Sequence, residues 1–166
     1  MAALTYRQLP AGKRVIRTLR LLSGRWMDQI NCGLQEACLD DQPAFDALSY
    51  VWGNAKDTAA ITVDGCCFQV TKNLIAALRR LRSSVDTRIL WVDAICINQH
   101  DNQEKAQQIQ FMADIYQYAR TVNIFLGESG ILDYRFGPGH SRSPTTSHIF
   151  RGGIACGFSK KRFYRR

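Results

Sequence analysis

The 166 residues of the chain are enough for one domain with its own hydrophobic core. Hydrophobic residues make up 46% of the sequence, which excludes a chain that is disordered throughout. The net charge of +8 is concentrated at one end: residues 1–130 hold 14 Lys and Arg against 13 Asp and Glu, whereas residues 131–166 hold eight against one. Nucleic-acid binding would therefore depend on the last segment alone, and it is not expected.

Membrane insertion and metal binding are not predicted either. No run approaches the roughly 18 consecutive apolar residues of a membrane helix, and residues 1–10 lack the apolar core of a signal peptide. A cytoplasmic protein is expected. The six cysteines, at positions 32, 38, 66, 67, 96 and 156, form no Cys-x-x-Cys pair and lie at no ligand spacing from a histidine. They are expected to be reduced and mostly small core residues.

Two strands are predicted at the start of the chain. Val15–Leu22 partly alternates apolar and polar residues, although Arg17 interrupts its apolar side, and Ile30–Gln35 alternates more regularly. Together they are expected to form an antiparallel pair. A third, mostly apolar strand is predicted over Phe45–Trp52 and stops at Gly53.

A hairpin and a helix are predicted next. Ile61–Val70 is interrupted by Asp64-Gly65, a dipeptide favoured in two-residue turns that need positive φ. Thr71 is a candidate helix cap, and the following apolar residues recur at helical spacing: Leu74, Ala77, Leu78 and Leu81. The other face carries Arg79, Arg80 and Arg82, which is typical of a solvated helix surface; phosphate binding is the alternative.

The stretch 88–119 has the form of a site. Ile89–Val92 predicts a strand that ends at Asp93, and after a polar loop a helix is predicted from about Asn102 to Ala119. The apolar face of this helix is expected to comprise Ala106, Ile109, Met112, Ala113 and Tyr116. A strand over Thr121–Leu126 completes a unit of the size of a βαβ crossover, which implies parallel strands.

Asp93 and Glu104 are the carboxylates of interest. Asp93 lies where open α/β sheets place ligands and could bind a hydroxyl, orient a base or hold a metal; the alternatives are a helix cap or an ion pair with an arginine. Asp101 and Glu104 fit a capping box in which Glu104 reaches back to the cap. The amides of Asn98 and Gln99 suit a nucleotide or ribose edge, and would equally suit a loop that satisfies its own backbone. Fingerprints for dinucleotide or triphosphate loops are absent from the sequence.

Two long motifs carry a resemblance to a known family. Ala47–Gly53 reads ALSYVWG and Leu90–Gln99 reads LWVDAICINQ, followed by Glu104 and Leu126-Gly127. In order and spacing these motifs resemble the heterokaryon incompatibility (HET) domain of filamentous fungi over roughly residues 45–127. The resemblance implies a role in fungal allorecognition, an innate-immunity-like response. Such a domain triggers growth arrest or programmed cell death, through self-association or with other incompatibility proteins.

A remote similarity to TIR domains is implied as well. This similarity implies a flavodoxin-like α/β fold with a mostly parallel sheet flanked by helices. In this chain the fold would also have an N-terminal antiparallel hairpin and a disordered basic tail. The similarity implies an alternative function as well: hydrolysis of NAD with release of nicotinamide, in which NAD is the substrate and Glu104 the catalytic residue. The implied pocket residues are Tyr50, Trp52, Gly53, Asp93, Asn98 and Gln99.

The resemblance also divides the chain. Residues 1–44 are expected to be strands that lead into the domain, residues 45–130 a shortened HET core, and residues 131–166 a basic disordered tail.

Overall fold

Eight strands and three α-helices make up the described part of the chain in the computed structural model, which covers residues 4–127 and the backbone of residues 131–135. The strands are β1 Val15–Leu21, β2 Asn31–Cys38, β3 Asp46–Tyr50, β4 Thr58–Val63, β5 Cys66–Thr71, β6 Arg88–Trp91, β7 Thr121–Phe125 and β8 Ile131–Arg135. The helices are α1 Lys72–Leu81, α2 Asp93–Cys96 and α3 Asn102–Tyr118. The predicted α/β class is confirmed.

All of these strands form one mixed sheet, in the order β5-β4-β2-β1-β6-β3-β7-β8. Its parallel pairs are β6 with β3, β3 with β7, and β2 with β4. The other four neighbouring pairs are antiparallel. The expectation of a mostly parallel sheet is therefore wrong, because β1 runs antiparallel to both of its neighbours and each outer edge ends in an antiparallel pair.

The predicted antiparallel pair of β1 and β2 is confirmed, and it belongs to the same sheet as the strands after residue 45. β1 pairs with β2 from Val15↔Cys38 to Leu21↔Cys32, and its other side pairs with β6 through Leu19↔Leu90. Five consecutive residues of β1, 15–19, are buried. Since side chains alternate between the two faces of a strand, both faces of the sheet are covered at β1.

The parallel relation of the strands around α3 is also confirmed. β6 and β7 both run parallel to β3, which lies between them, with Ala47 opposite Trp91 on one side and Val122 on the other. The carboxyl ends of β3, β6 and β7 therefore meet at one edge of the sheet, here called the carboxyl edge. Open α/β sheets place ligands at such an edge.

Local turn and cap chemistry follows the sequence closely. Asp64 and Gly65 both adopt positive φ, 48° and 76°, between the antiparallel strands β4 and β5. Thr71 accepts from the Leu74 N–H and caps α1. The predicted apolar face of α1 is buried in full: Leu74, Ala77, Leu78 and Leu81. The hairpin and this helix are therefore confirmed.

The predicted buried face of α3 is right only in part. Met112 and Tyr116 pack against the core and Ile109 is partly buried. Ala106 and Ala113 are exposed, whereas Glu104, Gln108 and Ile115 are buried. Gln108 is buried because its side-chain amide donates to the Val15 carbonyl oxygen over 2.9 Å. Two of the buried positions are polar, so a search for apolar periodicity alone assigns the face incorrectly.

The segment after Gly127 is described only in part. β8 pairs antiparallel with β7, from Phe125↔Ile131 to Thr121↔Arg135. A strand therefore begins at the residue where the basic tail was expected to begin. The rest of the predicted disordered tail, residues 136–166, lies outside the described residues, as does Cys156.

Candidate functional site

The carboxyl edge brings together two aromatic side chains and a carboxylate. Trp52 follows β3, Asp93 follows β6, and the Trp52 Nε1–H donates to Asp93 Oδ2 over 3.3 Å. Tyr50, the last residue of β3, stacks on Trp52 with ring centroids 6.4 Å apart and planes inclined by 8°. Three residues named from the sequence therefore form one group, here called the Asp93 cluster (Tyr50, Trp52 and Asp93).

Asp93 is a partly buried carboxylate whose hydrogen-bond partners are neutral. Its Oδ1 accepts from the Ala94 N–H over 2.7 Å, at the first turn of α2, and its backbone oxygen accepts from Gln99 Nε2 over 2.9 Å. Burial raises the pKa of Asp93, and the bonds from Ala94 and Trp52 oppose that shift. The ion pair with an arginine, one of the two structural alternatives for Asp93, is not found among the described residues.

Two tyrosines lie close enough to Asp93 to sense its charge. Burial raises the pKa of Tyr50 and of Tyr116, and the negative charge of Asp93 raises both further. Tyr116 reaches this region from α3 and packs edge-on against Trp91, with ring centroids 5.7 Å apart. Both phenols are therefore neutral at physiological pH. Among the described residues, the surroundings of Asp93 are aromatic and place no positive charge in hydrogen-bond contact with it.

The backbone after the cluster is fixed by a glycine and an asparagine. Gly53 adopts φ +73°, and a Cβ added there would lie 3.1 Å from Asn73 Nδ2. The same Nδ2 donates to the Val51 carbonyl oxygen over 2.9 Å. Asn73, on α1, thus holds the turn that presents Trp52, and only glycine fits this turn without strain.

Glu104 is held in an ion pair rather than in the Asp93 cluster. Its Oε1 accepts from Arg17 Nη1 over 2.5 Å and its Oε2 from Arg17 Nη2 over 2.9 Å, and both side chains are at least nine-tenths buried. Oε1 also accepts from the Asn98 N–H over 2.8 Å. The capping box is therefore half right. Asp101 caps α3 by accepting from the Gln103 and Glu104 N–H groups, but Glu104 does not reach back to Asp101.

The first residues of the described chain cover this ion pair. The Tyr6 ring lies on the Arg17 guanidinium at 4.9 Å, and the Tyr6 hydroxyl donates to the Ile95 carbonyl oxygen over 2.8 Å. Arg17 also donates to the carbonyl oxygens of Arg7 and Cys96. Sequence reasoning recorded Arg17 only as a break in an apolar strand. A single arginine inside an otherwise apolar strand is the signal that could have predicted a buried partner.

Comparison with known proteins supplies the family. The heterokaryon incompatibility protein (HET) family model matches residues 45–150, which is more than half of the chain. The chain belongs to the HET family. Heterokaryon incompatibility protein 6, OR allele, of Neurospora crassa is 38% identical to it over 115 residues, which cover 61% of this chain. The chain spans 17% of the length of that relative. No solved structure matches the chain.

All of the site residues named from the sequence fall inside the HET match, whereas Arg17 precedes it. In the structure Gln99 hydrogen-bonds to Asp93, and the Asn98 N–H hydrogen-bonds to Glu104. The Asn98 side-chain oxygen accepts from the His100 N–H over 3.2 Å, so this amide satisfies its own loop. The Asp93 cluster is thus the part of the HET motifs that has both charge and exposed surface.

A second charged group lies at the opposite edge of the sheet, where the same strands begin. Asp46, Arg88, Arg120 and Thr121 line a cavity of about 340 Å³. Asp46 is buried and accepts from Arg88 over 3.0 Å, while Arg120 lies 3.5 Å away. The two arginines neutralise the Asp46 carboxylate. We therefore interpret this group as a structural ion-pair network that holds together the first residues of β3, β6 and β7.

Among the side chains that the structure describes, no group of three or more His, Cys, Asp or Glu could hold a metal ion. The described part of the chain contains no helix of the length and apolarity needed to cross a membrane. The cysteines described there, at 32, 38, 66, 67 and 96, are free thiols.

Proposed function

We propose that this chain is a fungal incompatibility module that acts in the cytoplasm during non-self recognition and triggers growth arrest or programmed cell death. The observation that carries the proposal is the HET family match over residues 45–150. The related Neurospora protein, which bears the incompatibility name, supports it through 38% identity. A remote TIR-like ancestry of the domain is part of the same proposal.

The signal is proposed to pass through self-association or through contact with other incompatibility proteins. A patch of exposed apolar side chains supports this step: Leu22, Trp26, Met27 and Val85, with Met27 77% and Val85 78% exposed. The patch lies at the edge opposite Trp52, because β1 ends beside the start of β6. Exposed apolar groups that cluster in this way mark interaction surfaces.

The loop that carries this patch is held in shape. Arg82, at the end of α1, donates to the carbonyl oxygens of Arg25, Trp26, Asp28 and Gln29. The Arg80 guanidinium lies 5.8 Å from the centre of the Trp26 ring. A preformed apolar surface loses little conformational entropy on association, which favours binding.

The experiment is expression of the chain in a filamentous fungus, with radial growth and hyphal viability as readouts. Wild type is expected to arrest growth, and the double variant Met27→Asp, Val85→Asp is expected to relieve the arrest. The double variant Gln110→Asp, Gln117→Asp is the matched control, since it adds the same two negative charges at exposed positions of α3. Sedimentation velocity on the purified proteins measures association directly. Normal growth on expression of wild type would refute the function, whereas arrest by a charged-patch variant would refute the surface.

Hydrolysis of NAD is the second candidate, favoured by the position of the aromatic Asp93 cluster at the carboxyl edge. Glu104 would stabilise the positive charge that develops on the ribose as nicotinamide leaves. Its ion pair with Arg17 would have to open first, because both carboxylate oxygens are engaged. Incubation of concentrated purified protein with NAD, followed by chromatography, is expected to show nicotinamide. The Glu104→Gln variant should release none, and no release by folded wild type would eliminate this candidate.

A further inference from the structure

The Asp93 carboxylate has a charge that no described side chain compensates. Both oxygens are occupied by neutral N–H donors, Oδ1 by Ala94 and Oδ2 by Trp52. Each of the ion pairs found between described residues involves other groups. A partly buried carboxylate without a cation is costly, and such groups persist mainly at functional sites.

The side chains around this carboxylate are aromatic and partly open to solvent. Trp52 is 47% exposed and stacks on the half-buried Tyr50. The ring of Tyr116 is close enough for the Asp93 charge to raise the pKa of its phenol. Aromatic faces attract cations through their quadrupole, and a neighbouring carboxylate adds a full negative charge.

The group is held in place by residues from three directions. Asn73 fixes the turn after Trp52 from α1, Gln99 bonds the Asp93 carbonyl from the loop after α2, and β3 fixes Tyr50. Gly53 permits the close approach of Asn73. A half-exposed tryptophan supported in this way is preorganised, which lowers the entropy lost on ligand binding.

We propose that the Asp93 cluster is a binding site for a small organic cation, such as a quaternary ammonium group. The exposed ring of Trp52, stacked on Tyr50, supplies the cation–π contact, and Asp93 supplies the counter-charge. An inorganic divalent ion fits poorly, because it needs several oxygen ligands and this site offers one carboxylate already bonded to two N–H groups. A weakly hydrated organic cation needs charge and aromatic surface without close coordination.

The test compares choline with its neutral isostere, in which a tert-butyl group replaces the trimethylammonium group. Isothermal titration calorimetry and Trp fluorescence of the purified full chain are the readouts. Choline is expected to bind with a dissociation constant on the order of 1 mM, and the isostere at least about tenfold more weakly, since only the charge differs. Equal binding of the two compounds, or no binding of choline, would overturn the proposal.

Variants then locate the site. Asp93→Asn is expected to weaken choline binding about tenfold and Trp52→Leu about fivefold. Tyr118→Leu is the aromatic control, because Tyr118 is 39% exposed at the end of α3 and lies outside the Asp93 cluster, and Asp41→Asn is the exposed carboxylate control. Both controls should bind like wild type. If the controls lost affinity as much as the cluster variants, choline would be bound elsewhere and the assignment would be wrong. This affinity is measured without fungal growth or NAD, so its outcome is independent of both proposed functions.

Discussion

The buried ion pair of Arg17 and Glu104 is expected to be one of the most sensitive points of the fold. Replacing Arg17 with Met leaves the Glu104 carboxylate, which is 8% exposed, without its cation. Uncompensated burial of a charge in this way costs about 3–5 kcal/mol. This is a large fraction of the roughly 5–15 kcal/mol that stabilises a typical domain.

The partners should behave as a unit. Glu104→Leu alone leaves the buried Arg17 guanidinium without its counter-charge and the Asn98 N–H without its acceptor. The double variant Arg17→Met, Glu104→Leu removes both charges. It retains the cost of that N–H and of the Arg7 and Cys96 carbonyl oxygens that lose their donor, about 1–3 kcal/mol for each group. We therefore expect a coupling free energy of at least about 2 kcal/mol in a double-mutant cycle.

The assay is equilibrium urea unfolding at neutral pH, followed by circular dichroism and Trp fluorescence. Lys72→Met is the control, because the Lys72–Asp57 pair is 64% and 52% exposed and such pairs contribute less than about 1 kcal/mol. A loss below about 1 kcal/mol in Arg17→Met, or additive losses in the double variant, would show that the pair is not a buried, coupled unit.

Three further predictions concern the carboxyl edge. Burial raises the pKa of Asp93 in the folded chain, so the folded state binds more protons than the unfolded state between the two pKa values, and stability falls as pH rises through that window. Asp93→Asn should therefore show a smaller loss of unfolding free energy than wild type from about pH 4 upward; an unchanged pH slope would contradict this. Asp101→Ala should cost about 0.5–2 kcal/mol in urea unfolding, because it removes two N–H bonds at the start of α3, and a neutral effect would mean that the cap contributes nothing. Gly53→Ala should be more destabilising than Gly65→Ala in thermal unfolding, since both have positive φ but only Gly53 meets a neighbour, Asn73 Nδ2 at 3.1 Å; equal losses would remove the steric part of this reasoning.

Much of the site's location was predictable. Trp52 and Asp93 were placed at the ends of two apolar strands, and parallel strands bring such ends to one edge. Their contact at 3.3 Å is the outcome of that rule. The aromatic surroundings of Asp93 were harder to predict from the sequence. Tyr116 comes from the far end of α3, and the sequence pattern there indicates only an apolar helix face.

The role of Glu104 could not be predicted from its neighbours. The local sequence favours a capping box, and Asp101 does cap the helix. The Glu104 side chain instead bonds Arg17, which is 87 positions away in the sequence. A full charge on a buried partner outweighs a neutral N–H as a hydrogen-bond donor, so the long-range contact wins over the local one.

Some features of this fold depend on a few neighbouring residues and can be predicted from them. Local sterics and hydrogen bonding explain three of them: the positive φ at Asp64-Gly65, the caps at Thr71 and Asp101, and the apolar face of α1. Other features become visible only in the folded chain: which strands are neighbours, the position of β1 in the middle of the sheet, and the burial of Glu104 and Gln108 by α3. These outcomes depend on partners far apart in the chain, and the free energy of burying a polar group changes sign according to whether such a partner is present.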